Sequence, residues 1–439
     1  MVNRMRAGAA VAALLVLFGC SAGPAWAHAR PERAVPADRS VVARPPSAVR
    51  VFFDEPVRPL PGTEAVRNDG GSILAGRAHL APGNSRELVI PLRAGLLRGD
   101  YSVRWRIVSD DGRVIEGLLA FAVGAGSGLP EQALRLHAEH PGPLYLLARL
   151  FFYLGALVAF GAVAFRALAW RPALRACSLE HDERNAVAQR SRRSFELILG
   201  TALAIAVAGS SLVLALTPDA FMTRFGRAGA LGLGIAAAGV VSILLARRWP
   251  RLLHAGSAAA LVLPAIPAFS GHALDPGRPQ PLSVVADLAH LAAAGVWLGG
   301  LLQLAFAVPW SSARLDPAPR GRVYAAVTER FSTLALASVA TLGASGIARV
   351  PFELSAAHQL WTTGYGRALL AKTAMFSALL ALGWVNRQRL VPSLLAAAQR
   401  NPGGVGAFAR LRRSMLAEIA LLAVLVAVVS LLTALRPGR

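Results

Sequence analysis

"GDYSVRWRIVSDDGRVIEGLLAFAV", residues 99–123, decides how the chain begins. Tyr101, Val103, Trp105 and Ile107 alternate with polar residues, the period of a strand with one face turned to a core. Asp110, Asp111 and Gly112 interrupt the alternation and apolar residues resume at Val114, so the stretch is predicted as a β-hairpin. Working outward, "AVRVFFDEPV" (48–57) and "ELVIPL" (87–92) show the same apolar, β-branched make-up between turns rich in Pro, Gly, Asn and Asp. Several short strands over 28–124 predict an N-terminal all-β, immunoglobulin-like sandwich. Its aromatic residues are most simply core.

Beyond a glycine-rich break at "GAGSG" (124–128) the composition changes. The 439 residues are 55% hydrophobic and only 16% charged, against about a quarter charged in ordinary soluble domains. Apolar stretches near 145–165, 195–217, 229–246, 252–271, 284–308, 328–349, 366–385 and 415–434 are each near the length of a bilayer-crossing helix. The second part is therefore predicted as an all-α bundle of eight transmembrane helices. A net charge of +22 raises the question of nucleic acid. The arginines cluster between alternate spans instead, at Arg171–Arg193, Arg247–Arg251, Arg314–Arg322 and Arg387–Arg413, which is the positive-inside pattern and excludes a nucleic-acid partner. That pattern puts the sandwich and the C-terminus outside the cytoplasm.

Residues 1–27 have Arg4 and Arg6, an apolar run from Ala9 to Phe18 and a small-residue ending "AWA", the layout of a secretory signal cut before His28. Cleavage there would give His28 a free α-amino group beside its imidazole, two nitrogens able to chelate one metal ion. Copper(II) suits such ligands. "LFGC" at Cys20 is a rough lipobox and leaves a lipoprotein as the alternative. The other cysteine, Cys177, lies in an inner loop, so no disulfide and no Cys-based zinc site is expected. The domains expected are a signal peptide at 1–27, the sandwich at 28–124, a linker at 125–143 and the membrane domain at 144–436.

Ionisable side chains inside a span cost about 2.5–3.5 kcal/mol at mid-helix, so each asks for a reason. In "ADLAHLAAAGVWLGGLL", Asp287, His290 and Trp297 fall along one helical face, and Gly295, Gly299 and Gly300 permit close helix approach. His272, at the outer end of the preceding span, is expected at the same level. Lys372, the one lysine of the chain, lies in the seventh span at a depth suited to pairing with Asp287. For His272 and His290 copper ligation and helix-to-helix hydrogen bonding both stand open; Trp297 is most simply packing. Glu196, Glu329 and Glu418 are expected to be satisfied by snorkelling or caps near the inner ends.

"AHARPERAVPADRSVV" (27–42), "VRVFFDEPV" (49–57) and "YSVRWRIVSDDGRVIEG" (101–117) together resemble the periplasmic copper-binding CopC family. The resemblance implies a copper(II) site made of the mature N-terminal histidine, an aspartate and a second histidine in a "DGH" segment. His28 and Asp111 fall on two of these positions, and Arg113 stands at the third. A guanidinium has no lone pair to donate and repels a cation, so the site is expected to be weakened or completed from elsewhere, with His79 the nearest candidate. "DLAHLAAAGVWLGGLL" (287–302), "RFSTLALASVATLGASG" (330–346), "YGRALLAKTAMFSALLALGWVNRQRLVP" (365–392) and "LRRSMLAEIALLAVLVAVVSLLTALRP" (411–437) resemble the CopD family of inner-membrane copper-handling proteins. The joined arrangement is similar to the fused, YcnJ-like copper importers.

The resemblance implies copper binding and transport across the cytoplasmic membrane, with a copper ion captured on the periplasmic side and no enzymatic reaction. The partners implied are copper, the lipid bilayer and periplasmic copper chaperones. Two alternatives stand beside it. One is a copper chaperone or sensor for cuproenzyme assembly without translocation. The other is a haem-bearing membrane oxidoreductase with His272 and His290 as axial ligands.

Overall fold

The structure, a computed structural model, describes residues 29, 31–67, 72–110, 114–124, 137–138, 142–217, 220–270, 280–353, 361, 364–400 and 404–432. The expected leader and its two alternative processing sites, and the expected ligands His28, Asp111 and His272 together with Arg113, lie outside the described residues.

Among the described residues ten strands form the N-terminal part: β1 (Pro31–Val35), β2 (Ser40–Val42), β3 (Ala48–Phe53), β4 (Val57–Pro59), β5 (Glu64–Arg67), β6 (His79–Ala81), β7 (Asn84–Pro91), β8 (Gly99–Ser109), β9 (Val114–Val123) and β10 (His137–Ala138). One sheet has the order β1-β3-β7-β6; the other runs β10-β9-β8-β4, with β2 parallel to β9 and β5 antiparallel to β8. The expected strand 48–57 divides in two. After β3 the chain turns at Asp54–Pro56 and β4 joins the opposite sheet, because Pro56 has no N–H to continue a ladder.

The two sheets share one core. Val49, Val51 and Phe53 from one face meet Tyr101, Val103, Trp105 and Ile107 from the other, all nearly inaccessible. Phe53 and Trp105 touch edge to face, centroids 5.3 Å apart. Trp105 is registered opposite Gly117 in the β8–β9 hairpin. A Cβ on Gly117 would stand 2.1 Å from the indole, so the glycine is the slot into which Trp105 lies. Tyr101 stacks on Phe121 and donates its hydroxyl to the Leu97 carbonyl at 2.6 Å, so the ring is buried without stranding its polar end.

Eight helical rods follow among the described residues. They are α1 (Pro143–Phe165, prolonged by Arg166–Trp170 and Arg171–Ala176), α2 (His181–Leu216), α3 (Arg224–Leu245) and α4 (Leu252–Val262, then Ala265–Ser270). Then come α5 (Gln280–Leu302, prolonged to Ser311), α6 (Pro317–Glu353), α7 (Gly364–Val385, prolonged to Gln399) and α8 (Gly404–Leu432). Six of them (α1, α2, α3, α5, α6 and α7) are long and apolar enough to cross a membrane by length and composition. α4 is a shorter apolar helix, interrupted at Leu263–Pro264 where the proline removes a backbone donor.

Neighbours alternate in direction. A Cβ on Gly155 would sit 2.5 Å from the Ala202 carbonyl oxygen, and one on Gly209 2.3 Å from the Phe152 nitrogen, which fixes α1 antiparallel to α2. α1 and α5 run side by side with Gly161 against Gly295 and Gly299, a Cβ on Gly299 being 2.7 Å from the Gly161 Cα. The close approach expected of the α5 glycines is thus directed at α1 for Gly295 and Gly299, while Gly300 faces the Phe331 ring of α6. Such seams let backbones touch where lipid supplies no hydrophobic drive. The starts of α1, α3, α5 and α7 and the ends of α2, α4 and α6 therefore share one side of the bundle, the side to which the sandwich is joined.

At the opposite side α1, α5 and α7 each widen into a π-type turn: Arg166–Trp170, Gln303–Ala307 and Asn386–Leu390. Each is followed at once by an X-Pro pair, Arg171-Pro172, Val308-Pro309 and Val391-Pro392. The proline cannot donate to the carbonyl four residues back, and the residue before it bonds five back instead, as Arg171 to Arg166, Val308 to Gln303 and Val391 to Asn386. Trp249 beyond α3, Trp310 near the end of α5 and Trp384 just before the α7 π-type turn are exposed.

Candidate metal centre

The candidate centre lies at the sandwich-side end of α5. Asp287 and His290 are one turn apart and half-buried. The ring nitrogen Nδ1 of His290 is 2.9 Å from Ser345 Oγ, near the end of α6. Two turns further along the same α5 face, Trp297 is buried and meets Phe376 of α7 edge to face, centroids 6.3 Å apart. The face that the spacing singles out is thus the face by which α5 meets α6 and α7. Lys372 is one turn before Phe376 and half-buried, so the register sets it within about two turns of Asp287.

Across the junction with the sandwich, the backbone amide of Phe225, in the first turn of α3, donates to the carbonyl of Asp110 at 3.2 Å. Asp110 closes β8 and immediately precedes Asp111. The hairpin that carries the expected aspartate therefore rests on the same side of the bundle as Asp287 and His290. Arg149 of α1 lies over the Phe225 ring, 5.9 Å from its centroid. His79 stands elsewhere, at the start of β6 on the edge of the other sheet, exposed and with Nδ1 3.1 Å from the Arg77 carbonyl. Among the described residues no three His, Cys, Asp or Glu side chains form a group able to hold a metal ion.

Two polar contacts were not legible in the sequence. Ser345 reads as an ordinary small residue of a packing seam, yet it is the hydrogen-bond partner of His290. Glu418, expected to reach the inner interface, is buried in α8, where Asn386 at the start of the α7 π-type turn donates to it. Asn386 is itself buried, and its Oδ1 has no hydrogen-bond partner among the described residues. Glu196 is satisfied by Arg192 at 2.7 Å, one turn earlier on α2, and Glu329 is exposed. Cys177, between α1 and α2, is buried and reduced, its sulfur 3.8 Å from the Arg322 carbonyl. Burial pushes its thiol above the ordinary range, against the opposing pull of Arg322, Arg184 and Arg330.

The comparisons with known proteins find one family on the sandwich and another on the last helices of the bundle. The CopC domain family matches residues 32–124, and the family described as copper resistance protein D matches residues 325–432. The copper transport protein CutJ of Bacillus subtilis (strain 168) is 26% identical over 376 residues, which cover 82% of this chain and 68% of that protein. Protein YobA of Escherichia coli (strain K12) is 30% identical over 99 residues, 22% of this chain and 80% of YobA. Among solved structures, CopC from Methylosinus trichosporium OB3b is 28% identical and covers 25% of this chain and 100% of that one, with a TM-score of 0.21. PcoC from Escherichia coli, described as a methionine-rich copper resistance protein, is 27% identical over 22% of this chain and 100% of that one, with a TM-score of 0.19. A CopC domain and a copper resistance protein D domain thus lie in one polypeptide, the first on the sandwich and the second on the last helices of the bundle.

Proposed function

We propose that the protein takes up copper outside the cytoplasm and passes it inward through the helical bundle. In this reading a signal peptide is removed after residue 27, the sandwich (28–124) is held in the periplasm by the linker 125–143, and 144–436 sits in the inner membrane. His28 with Asp111 receives copper on the sandwich, and His290 with His272 receives it at the mouth of the bundle. Nitrogen and carboxylate donors of this kind suit copper(II). Asp287 and Lys372 offset each other's charge at that mouth. Periplasmic copper chaperones are the source, and no bond of a substrate is made or broken.

The observation that carries the reading is the bond from the Phe225 amide to the Asp110 carbonyl. It ties the hairpin that leads toward Asp111 to the side of the bundle on which α5 carries Asp287 and His290, which supports passage of an ion from the sandwich to the bundle. The arginine-rich ends of the helices lie on the other side, as an inward-facing surface requires.

Radioactive copper uptake by cells expressing the wild-type chain, His290→Ala and Asp111→Ala tests it. Uptake above that of cells lacking the chain, reduced in both variants, is expected. Copper bound by the purified protein with no uptake at all would instead favour delivery to cuproenzymes on the same side of the membrane. A Soret band in the purified protein would favour the haem reading.

A further inference from the structure

We infer that Ser345 is a positioning residue for His290: it holds the imidazole with its proton on Nδ1 and so leaves the Nε2 lone pair to the metal. The metal part of this rests on the proposed role of His290; the proton assignment rests on geometry alone.

Ser345 Oγ has one proton and two lone pairs. It lies 2.6 Å from the Thr341 carbonyl oxygen and 3.3 Å from that of Leu342, the usual back-bond of a serine inside a helix. A carbonyl oxygen carries no hydrogen, so an oxygen-to-oxygen distance of 2.6 Å requires the serine proton between the two atoms. The Thr341 hydroxyl is committed in its turn to the Ala337 carbonyl, 2.9 Å away. Ser345 is buried, which keeps water from exchanging with these partners. Toward His290 the serine therefore offers only a lone pair. The hydrogen in the 2.9 Å contact to Nδ1 has to come from the ring. In a neutral imidazole the other nitrogen, Nε2, is then the unprotonated one.

A histidine free in water prefers the opposite tautomer, with the proton on Nε2. A metal can bind that form through Nε2 only after the proton has moved. A ligating histidine is commonly fixed by a hydrogen bond from its second nitrogen, and loss of that partner typically costs ten- to a hundred-fold in metal affinity. The chain Thr341 carbonyl, Ser345 hydroxyl, His290 Nδ1 is such a support, supplied by α6 to a ligand carried on α5.

The test uses the full chain in lipid nanodiscs with 15N-labelled histidine and no added metal. His290 resonances are assigned by their loss in His290→Gln. The expected result is a protonated Nδ1 and an unprotonated Nε2 in the wild type, a shift toward the Nε2-protonated form in Ser345→Ala, and the wild-type pattern in Ser345→Thr, which keeps the hydroxyl. Copper(II) affinity should fall about tenfold in Ser345→Ala and hold in Ser345→Thr. A wild-type ring protonated on Nε2, or a Ser345→Ala spectrum unchanged from wild type, overturns the assignment. Copper binding unchanged in His290→Gln overturns the metal role of His290 while the tautomer is still decided by the resonances, so the two failures are told apart.

Discussion

The carbonyl of Asp110 accepts a hydrogen bond from the amide of Phe225, and through it the tip of the long hairpin is fastened to the first turn of α3. Phe225 is the second residue of that helix, and its amide is among those that a helix start leaves without an internal partner. The sandwich supplies the missing acceptor. The neighbouring start is capped from within, Thr223 Oγ1 accepting from the Gly226 amide at 2.9 Å.

Phe225→Pro should separate this contact from the fold of α3. Proline is tolerated in the first helical turn, where the lost donor has no helical acceptor, but it can no longer reach Asp110. A loss of about 0.5–1.5 kcal/mol in the junction is expected. Hydrogen exchange at the ends of β8 and β9 should quicken while α3 is unchanged. Equal exchange in the two proteins would show that the hairpin is held by something else.

Gly117→Ala should disrupt the sandwich core, because its Cβ would enter the Trp105 ring. Overpacking of this kind costs about 1–3 kcal/mol. Denaturant titration followed by hydrogen exchange in β8 and β9 measures it. Restoring stability with Trp105→Leu in the same chain would confirm that the indole, and not the backbone of Gly117, is the cause.

The Asn386–Glu418 pair makes two variants diverge. Glu418→Ala leaves the buried Asn386 amide without an acceptor, which costs about 1–3 kcal/mol. Glu418→Gln retains an acceptor of the same shape and should unfold close to the wild-type temperature. Thermal unfolding in detergent compares them; two variants lowered equally would mean that the hydrogen bond matters less than the acid itself.

Cys177 should resist alkylation in the folded chain and react in denaturant. Its folded-state thiol is raised above the unfolded value, with burial the main cause. The sign follows directly. The contribution to stability is complete below the ordinary thiol range and is lost as pH rises through the raised folded value. Maleimide labelling near neutral pH should therefore be slow, and stability should decline only on the alkaline side. Fast labelling of the native protein would contradict the burial of the sulfur.

Much of this architecture is written in local pattern. The period of two in Tyr101–Ile107 gives β8 whatever the rest of the chain does, and the strand ends at Ser109, where "SDDGR" begins. Apolar stretches of about twenty residues likewise give the helical rods, though Pro264 shortens the fourth. The α5 face of Asp287, His290 and Trp297 was legible for the same reason: residues three and four apart must share a side of a helix.

The sequence by itself determined which segments are strands or helices and which residues each presents together, because those are properties of short spacings. Only the tertiary structure decided what each face meets. Ser345 lies 55 residues from His290, and Asn386 lies 32 from Glu418. Such pairs depend on how each helix is rotated and crossed against its neighbours, and glycine seams such as Gly161 against Gly299 set that rotation through contacts that no periodicity records.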